Sequence, residues 1–546
     1  MAAVAPFAEN AVTQSIPLPA RRSPVPHPEV APEVALACLV VLAVAFRVCF
    51  AAGLSGNDDL AISSEATRLI EQGFSVPSYH YSARWGLILP LAGLYRAFGV
   101  GVWQLIALPL AASAAGMILA YGLGRRFFDA RTGLFAAFAL AVYPMDIEFS
   151  GLFFPDLPSG TLLAASFYCA TTRRAGRTRA AHAVLAGLLW AWAYYVKVDA
   201  FFFGVVLLSA AAMGYLARRD LVLIGVVAGA AVGCELVLYG ALTGSPFHRI
   251  RLESAAANEV LAAGRDYREF LIYPRAMFLA VYQTGLHFYA LAAAAVLAAV
   301  TRSKPALLFL GWVGTFHLWL ALGGDPFSAS YTLKPQLPRY LMVYAVPMAV
   351  AVGWLLARFA AAVPRAVGAG ACAALCGVAM LFTHLNLITY EPAAATRTGV
   401  EVALHDKLFP LYSDPQSITI VRFMLAGRPE LARAKLAQEH NFLTGTTVLK
   451  PIDDEVAYLL LNHRFIRRLA ERNLVTPLEP DQFGARVEVV TRVGDTMSAL
   501  SGAILRGAVA VARLVPVAGV RDRVVRTAQA LTQGDRATLY KLSKPL

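Results

Sequence analysis

Residues Gly56–Gly73 read Gly-Asn-Asp-Asp-Leu-Ala-Ile-Ser-Ser-Glu-Ala-Thr-Arg-Leu-Ile-Glu-Gln-Gly and follow the first long apolar segment of the chain. Two adjacent carboxylates, Asp58 and Asp59, open this stretch, and a helical pattern follows them directly. Ionisable groups beside a bilayer are costly and tend to be functional, so this acidic pair is the first candidate site for chemistry. An acidic pair before a helix is also an ordinary helix cap, and the two roles are compatible.

The composition indicates a polytopic membrane protein. Of the 546 residues, 58% are hydrophobic and 15% are charged, whereas roughly a quarter of the residues of a soluble protein are charged. The net charge of +13 does not indicate a nucleic-acid partner, because the basic residues occupy short gaps between apolar runs. The six cysteines all lie in apolar segments, so no disulfide framework or cysteine-rich metal site is expected.

The apolar runs predict eleven membrane-spanning helices. The first, 34–55, is long enough for an uncleaved anchor rather than a signal peptide, and a disordered cytoplasmic tail, 1–33, precedes it. The other spans are expected near 103–123, 133–145, 157–172, 181–197, 200–217, 221–242, 277–300, 305–322, 340–357 and 366–388. The run 85–98 contains Pro90 and Arg96 and is shorter than the roughly 17–25 residues of a spanning helix, so we interpret it as interfacial or re-entrant.

The distribution of arginine and lysine predicts the orientation. Alternate gaps between the spans are basic, and all of them fall on the same side as Arg21 and Arg22. These gaps contain Arg125, Arg126 and Arg131; Arg173, Arg174, Arg177 and Arg179; Arg218 and Arg219; Arg302 and Lys304; and Arg358 and Arg365. The positive-inside rule makes this side cytoplasmic, so the acidic pair lies in a long outer loop, 56–102. Counting 85–98 as a span would move every basic gap outside.

The character of the sequence changes at about residue 389, which ends a transmembrane module of residues 34–388. Strand-like runs occur at 417–423, 456–461 and 487–490, and a polar helical run covers Pro429–Glu439. This mixture predicts a small α/β domain over 389–546, which is extracytoplasmic by parity. Within it, a basic helical stretch at 503–533 is expected to lie on the membrane surface.

Further short motifs follow the acidic pair in a fixed order. The series is Asp58-Asp59 with Ala66 and Gly73; Arg84-Trp-Gly-Leu-Ile-Leu-Pro running to Phe98-Gly99; Gly124-Arg-Arg-Phe-Phe; Tyr143-Pro144 and Pro155-Asp156; Lys197; and Pro338-Arg339-Tyr340. It resembles the membrane-embedded GT-C glycosyltransferases, in particular bacterial relatives of protein O-mannosyltransferases and of the aminoarabinose transferases that modify lipid A. The resemblance covers roughly residues 34–360. The chain departs from the family pattern at Asp59, where Glu is usual, and at Ile62, where an aromatic residue is frequent.

The resemblance implies an enzyme that moves a sugar from a polyprenyl-phosphate carrier to an acceptor hydroxyl at the outer face of a membrane. The acceptor class stays open among glycolipids such as lipid A, polysaccharides and proteins. The reaction is an inverting displacement, in which alignment to the family motif makes Asp58 the general base. Asp156 would be a second carboxylate near the acceptor, and Asp59 mainly a capping or orienting group. The Ala- and Arg-rich composition points to a bacterial inner membrane.

Three cations are the candidates for binding the donor phosphate, namely Arg84, Lys197 and Arg339, and the segment 85–98 would help to form the groove for the lipid chain. Each cation also has a plainer interpretation, because Arg84 and Lys197 can extend to lipid headgroups and Arg339 can anchor an interface. No cofactor is required by the sequence. The acidic residues of the site could hold a divalent cation, although no ligand motif demands one.

Two other classes of protein remain as alternatives. A transporter or flippase of polyprenyl lipids or glycolipids would place ionisable groups deep within several spans. Most charges here lie at one rim of the membrane module, and Arg47 and Glu235 are the exceptions. A scaffold whose outer domain binds a partner would leave Asp58 and Asp156 dispensable.

Overall fold

A computed structural model of the chain was analysed. The structure describes residues 31–56, 58–172, 176–262, 271–324, 336–387, 391–441, 446–463, 465–466, 478–493, 506–507, 509–510 and 537–544. The predicted tail at 1–33 and the predicted surface helix at 503–533 lie almost entirely outside the described residues.

The membrane module consists of helices. Its first half contains α1 (Pro32–Cys49), α2 (Asp58–Gln72), α3 (Trp85–Phe98), α4 (Val102–Phe127), α5 (Ala130–Ala141), α6 (Pro144–Ser150), α7 (Asp156–Ala170), α8 (Gly176–Val196) and α9 (Phe203–Ala212). Its second half contains α10 (Arg218–Thr243), α11 (His248–Ala262), α12 (Ile272–Phe278), α13 (Val281–Thr284), α14 (His287–Thr301), α15 (Lys304–Leu322), α16 (Ala345–Ala362) and α17 (Arg365–Leu387). Short 3₁₀ turns occupy His80–Ala83, Val198–Phe202 and Pro338–Tyr344.

Within the described ranges, six helices are long and apolar enough to cross a membrane. They are α1, α4, α10, α15, α17 and the continuous segment Pro338–Ala362. Helices α5 and α6 together make a seventh candidate, which is bent by 62°. The remaining predicted spans correspond to shorter or less apolar helices, so the total of eleven stays a prediction. Helix α3, with 14 residues, is too short to cross by length.

Helix α16 lies at the centre of the module. Ten consecutive residues of this helix, 345–354, are buried, and helices α4, α5, α7, α14 and α15 pack around them. A helix that is apolar all round belongs in a core rather than at a lipid boundary. Small residues allow the closest approaches, as at Gly124 of α4, where an added Cβ would lie 2.8 Å from the Cα of Gly133.

Gly86 provides a testable close contact between α3 and α8. A Cβ at Gly86 would lie 2.6 Å from the backbone nitrogen of Val196, while a Cβ at Gly93 of the same helix meets nothing within 4 Å. We expect Gly86→Ala to separate the two helices and to cost about 1–3 kcal/mol of stability, as overpacking does. Gly93→Ala is the matched control and should be neutral or slightly stabilising, because Ala is the better helix former.

Thermal unfolding of the two variants in detergent checks this prediction. A lower midpoint for Gly86→Ala alone supports the close packing of α3 on α8. Equal midpoints for the two variants would contradict it.

The C-terminal domain is α/β. It contains α18 (Glu391–His405), β1 (Leu411–Ser413), α19 (Ser417–Met424), β2 (Ala434–Leu436), β3 (Gln438–Asn441), β4 (Thr446–Leu449), β5 (Val456–Leu461), β6 (Arg486–Val493) and β7 (Ala537–Ser543). Five strands form one sheet in the order β2-β1-β5-β7-β6. Strand β1 is parallel to β2 and β5, whereas β7 is antiparallel to β5 and β6, and β3 and β4 form a separate hairpin. The predicted strands at 456–461 and 487–490 are β5 and part of β6.

Two local predictions in this domain are wrong. Residues 417–423 form helix α19 rather than a strand, because the Asp414 carboxylate accepts hydrogen bonds from the Gln416 and Ser417 amides and caps a helix there. Residues 429–439 are not helical beyond a 3₁₀ turn at Pro429–Arg433, since β2 and β3 follow it and β2 pairs with β1. In both segments, tertiary packing outweighs the local propensity.

The C-terminal domain packs on the loop that leads into α2. An added Cβ at Gly56 would contact Ile420 of α19 at 3.3 Å and Phe465 at 3.9 Å. Gly56 has φ +80°, a left-handed conformation that glycine adopts without strain. Both apolar side chains join one buried cluster with Leu60 and Ile62 of α2. The C-terminal domain therefore helps to fix where α2 begins.

Candidate active site

Asp58 is the first residue of α2, where backbone N–H groups and the helix dipole favour a carboxylate. Its Oδ2 accepts a hydrogen bond from Nη2 of Arg339, which lies in the 3₁₀ turn ahead of α16. The Tyr81 hydroxyl also donates to this carboxylate. About 15% of the Asp58 side chain remains exposed, so the carboxylate is accessible while held by two donors.

Asp156 is the first residue of α7 and lies beside the same arginine. Its Oδ1 is 2.5 Å from Nζ of Lys197, and its Oδ2 is 3.7 Å from Nε of Arg339. Arg339 therefore lies between the two carboxylates that the sequence placed in different loops. Lys197 follows α8 and has a second acidic neighbour, Asp199, at 3.4 Å.

Aromatic rings enclose the two cations. Nζ of Lys197 lies 3.7 Å from the centre of the Tyr340 ring, and Cζ of Arg339 lies 4.5 Å from the centre of the Phe154 ring. Cation–π contacts of this kind are strongest where water is excluded. The rings keep both cations positioned without adding hydrogen-bond acceptors, which leaves donor capacity for an anionic ligand.

Arg84 is buried nearby but makes a separate ion pair. Its Nη2 is 3.6 Å from Oε1 of Glu253 on α11, and its Cζ is 5.1 Å from the Tyr81 ring. The Nε of Arg84 is buried and has no hydrogen-bond partner. Arg84 acts on Asp58 through space, since it contributes to lowering the pKa of that carboxyl.

Asp59 faces away from this cluster. Its two carboxylate oxygens accept hydrogen bonds from the Ser55 amide at 2.6 Å and the Ser55 hydroxyl at 2.7 Å, and the side chain is fully buried. These bonds close the turn around Gly56 that precedes α2. The geometry supports the interpretation of Asp59 as an orienting group for Asp58.

We expect Asp59→Asn to lower the stability of this turn more than it lowers the rate of the reaction. Its amide cannot accept both Ser55 hydrogen bonds with the strength of a carboxylate, so the thermal midpoint should fall. Activity should fall less than in Asp58→Asn, and Ser55→Ala should reproduce a milder form of the same change. An Asp59→Asn protein with an unchanged midpoint and no activity would instead make Asp59 part of the chemistry.

The electrostatic surroundings keep Asp58 ionised. Burial alone would raise the pKa of Asp58, but the Arg339 guanidinium, the Tyr81 hydroxyl and Arg84 together hold that pKa below its ordinary value. Burial lowers the pKa of neighbouring His80 to about 4, so this imidazole is neutral at neutral pH. The charged groups at the site therefore include the Asp58 carboxylate, Lys197 and the two arginines, whereas His80 is not among them.

No group of three or more His, Cys, Asp and Glu side chains in the described ranges is arranged to hold a metal ion. Asp59 is directed at Ser55, and the carboxylates of Asp58 and Asp156 face Arg339 and Lys197. The side-chain cations at this site are Arg339, Lys197 and Arg84.

An apolar cavity of about 490 Å³ opens next to Arg84, between α3, α8 and α10. Its wall contains two tryptophans, Trp85 and Trp192, together with Leu89 and Leu238. Glu235 lies in the same wall and pairs with buried Arg249, whose guanidinium also binds the Tyr194 and Tyr195 carbonyls. The charge of Glu235 is therefore balanced by the charge of Arg249.

The buried Arg47 likewise has a partner, which sequence reasoning did not find. Its Nη2 is 2.7 Å from Oδ1 of Asp146, a residue that the sequence left without a role. Tyr81 and Glu253 were also not assigned, although Tyr81 lies only three residues before Arg84. Glu253 gives no sequence signal, because only folding brings α11 to α3.

Comparison with known proteins agrees with these observations. The family model described as dolichyl-phosphate-mannose-protein mannosyltransferase matches residues 89–238. Apo ArnT from Cupriavidus metallidurans superposes with a TM-score of 0.53 at 15% identity, over 84% of this chain and 96% of that chain. ArnT from the same organism bound to undecaprenyl phosphate gives 0.51 at 13% identity, over 85% and 97%. The Archaeoglobus fulgidus oligosaccharyltransferase in complex with Zn and sulfate gives 0.53 at 11% identity, over 93% and 88%.

No curated protein matches the sequence. The chain shares the fold of these membrane-embedded GT-C glycosyltransferase structures, and residues 89–238 match the mannosyltransferase family model. Both findings agree with the resemblance noted in the sequence.

Proposed function

We propose that the protein transfers a sugar from a polyprenyl-phosphate carrier to an acceptor hydroxyl at the outer face of a bacterial inner membrane. The observation that carries the proposal is the cluster in which Arg339 lies between Asp58 and Asp156, with Lys197 on the other side of Asp156. The displacement requires a base that accepts the proton of the acceptor and cations that stabilise the leaving phosphate. The cluster contains carboxylates for the first role and cations for the second.

The donor phosphate binds to cations that now face carboxylates. Arg339 offers a planar fork suited to two phosphate oxygens, and Lys197 offers a compact charge. Arg84 adds a third cation with an unpartnered Nε, and the next residue, Trp85, lines the apolar cavity. The prenyl chain next to the phosphate would occupy this cavity, between α3 and its neighbours.

Donor binding activates the base. When the phosphate engages Arg339, Asp58 loses its strongest opposite charge, and burial then raises the pKa of this carboxyl and its affinity for a proton. The oxygen of the acceptor hydroxyl bonds to the anomeric carbon from the face opposite the phosphate. Asp58 accepts the proton that this hydroxyl loses. The bond from the anomeric carbon to the phosphate oxygen breaks, and polyprenyl phosphate leaves with the electron pair on that oxygen, whose negative charge Arg339, Lys197 and Arg84 stabilise.

The side of the membrane follows from the charge pattern. The basic gaps predict a cytoplasmic face at the opposite end, so the site and the C-terminal domain lie outside. Nucleotide sugars are not available there, which favours a lipid-linked donor. The polyprenyl-phosphate ligand of the related ArnT structure has the same chemistry as this donor's leaving group.

The first experiment measures donor turnover. Purified protein receives a panel of polyprenyl-phosphate sugars with membrane extract as the acceptor source, and the release of polyprenyl phosphate is followed. Release with at least one donor supports the proposal and names the sugar. No release from any donor, with lipid movement across proteoliposomes instead, would establish a flippase.

A further inference from the structure

Arg47 is a fully buried arginine on α1 whose guanidinium makes more contacts than an ion pair requires. Its Nη2 donates to Oδ1 of Asp146 at 2.7 Å and to the Leu140 carbonyl at 3.1 Å, and its Nη1 donates to the Ala141 carbonyl at 3.3 Å. Its Nε donates to the Ser113 hydroxyl of α4 at 2.7 Å. One side chain thus joins α1, α4, α5 and α6.

The two carbonyls belong to the last residues of α5, at the 62° break before α6. Carbonyl groups at the end of a helix have no partner within that helix, and leaving them bare in an apolar environment is costly. Arg47 donates to the Ala141 carbonyl, adds a second donor to the Leu140 carbonyl that the Tyr143 amide also reaches at 3.2 Å, and holds the Asp146 carboxylate of α6 with the same group. Pro144 begins α6 and breaks the helix there, and Arg47 holds the two sides of this break together.

Both ends of this ion pair lead directly to a carboxylate of the candidate active site. Asp58 lies eleven residues after Arg47, and Asp156 lies ten residues after Asp146. The two connecting segments contact each other midway, where the Gly53 amide donates to the Gly151 carbonyl at 3.0 Å. The contact is close, since a Cβ at Gly151 would lie 2.8 Å from the Cα of Ala51.

We propose that Arg47 and Asp146 are positioning residues that set the separation of the Asp58 and Asp156 carboxylates. The ion pair anchors the two segments at their origins, the Gly53–Gly151 hydrogen bond holds them together, and Arg339 bridges their ends. The inference rests on the proposed function, because it concerns the geometry in which the two carboxylates face donor and acceptor. It assigns no contact between Arg47 and any substrate.

The test replaces both members, since removing one alone would leave a buried charge without a partner. Arg47→Met with Asp146→Leu fills similar space and removes the pair and the carbonyl donors together. We expect kcat for donor turnover to fall about 10- to 100-fold with KM changed less than about threefold, because misplaced reacting groups lose rate rather than affinity. Affinity for polyprenyl phosphate, measured by thermal shift, should stay unchanged.

The matched control is the interhelical pair Arg179–Asp220, whose Nε and Oδ2 are 2.8 Å apart. Arg179 lies on α8 eighteen residues before Lys197, about 27 Å away along the helix. Arg179→Met with Asp220→Leu should keep wild-type kcat. A double variant at Arg47 and Asp146 with wild-type kcat, or with an increase in KM alone, would overturn the proposal.

If the double variant does not fold, a conservative variant at Arg47 tests the proposal instead. Arg47→Lys keeps the charge opposite Asp146, but one ammonium cannot reach that carboxylate and both carbonyls of α5. We expect a folded protein with reduced kcat and unchanged KM, and wild-type kcat in this variant would overturn the proposal. Wild-type protein is assayed first, so that absence of any donor turnover counts against the proposed function and not against the positioning role.

Discussion

Asp58→Asn should lower donor turnover by about 10²–10⁴-fold, which is the usual contribution of a positioned general base. Asparagine keeps the size of the side chain and still accepts hydrogen bonds from Arg339 and Tyr81, so the site should retain its shape. It cannot accept the acceptor proton at any pH. The loss should therefore appear in kcat, and added base should not restore it.

The matched control for this variant is Glu71→Gln. Glu71 is an exposed carboxylate on the same helix as Asp58, and the substitution makes the same chemical change outside the cluster. It should leave turnover unchanged. Release of polyprenyl phosphate and binding of polyprenyl phosphate are measured for both variants. An Asp58→Asn protein that binds the lipid and still turns over would transfer the role of base to Asp156 or Asp59.

Much of the site could be predicted from the sequence because each residue stands at the end of an element. Asp58 and Asp156 each begin a helix, Lys197 follows one, and Arg339 precedes one. In a membrane protein such ends lie at the rim of the apolar module, and the charge pattern divides them between two faces. Four residues far apart in the chain could therefore be assigned to one face from the sequence alone.

The pairing within that face could not be predicted. Nothing in the sequence shows that Arg339 bridges two carboxylates, or that Asp59 is directed at Ser55, because these are contacts between separate segments. Arg47 looked unpartnered for the same reason, since Asp146 comes from a bend between α5 and α6. Residues 417–423 show another limit, because this β-prone run forms a helix whose apolar side chains are buried and whose first turn bonds to Asp414.

The count of spans shows a further limit. A hydropathy pattern finds apolar runs, but α3 and α7 are helices of 14 and 15 residues within the module. Both are shorter than the roughly 17–25 residues of a spanning helix, so the apolar runs alone do not give the number of spans. The predicted orientation of the chain depends on whether α3 crosses, and α3 packs against α2, α4 and α8, with its closest approach at Gly86.

Arg339→Gln should lower turnover by about 10²–10³-fold, since it removes a preorganised cation from the leaving phosphate. It should also change the pH dependence. The Arg339 charge is the strongest influence that lowers the pKa of Asp58, and burial acts in the opposite direction. Without the arginine, the pKa of Asp58 rises, so the carboxylate becomes protonated at a higher pH and the acidic limb of the rate profile moves upward.

One further variant at this position separates the effect of charge from the effect of geometry, and a second variant elsewhere is the control. Arg339→Lys keeps a positive charge near Asp58 but cannot bridge Asp156 as well, so the pH profile should stay near wild type while kcat falls by an intermediate factor. Arg358→Gln removes an exposed arginine that also lies over an aromatic ring, with Cζ 5.5 Å from Trp354, and should change neither property. The pH–rate profiles of the three variants are the measurement. An Arg339→Gln profile that moves toward lower pH, or one that coincides with wild type, would show that Arg339 does not control the basicity of Asp58.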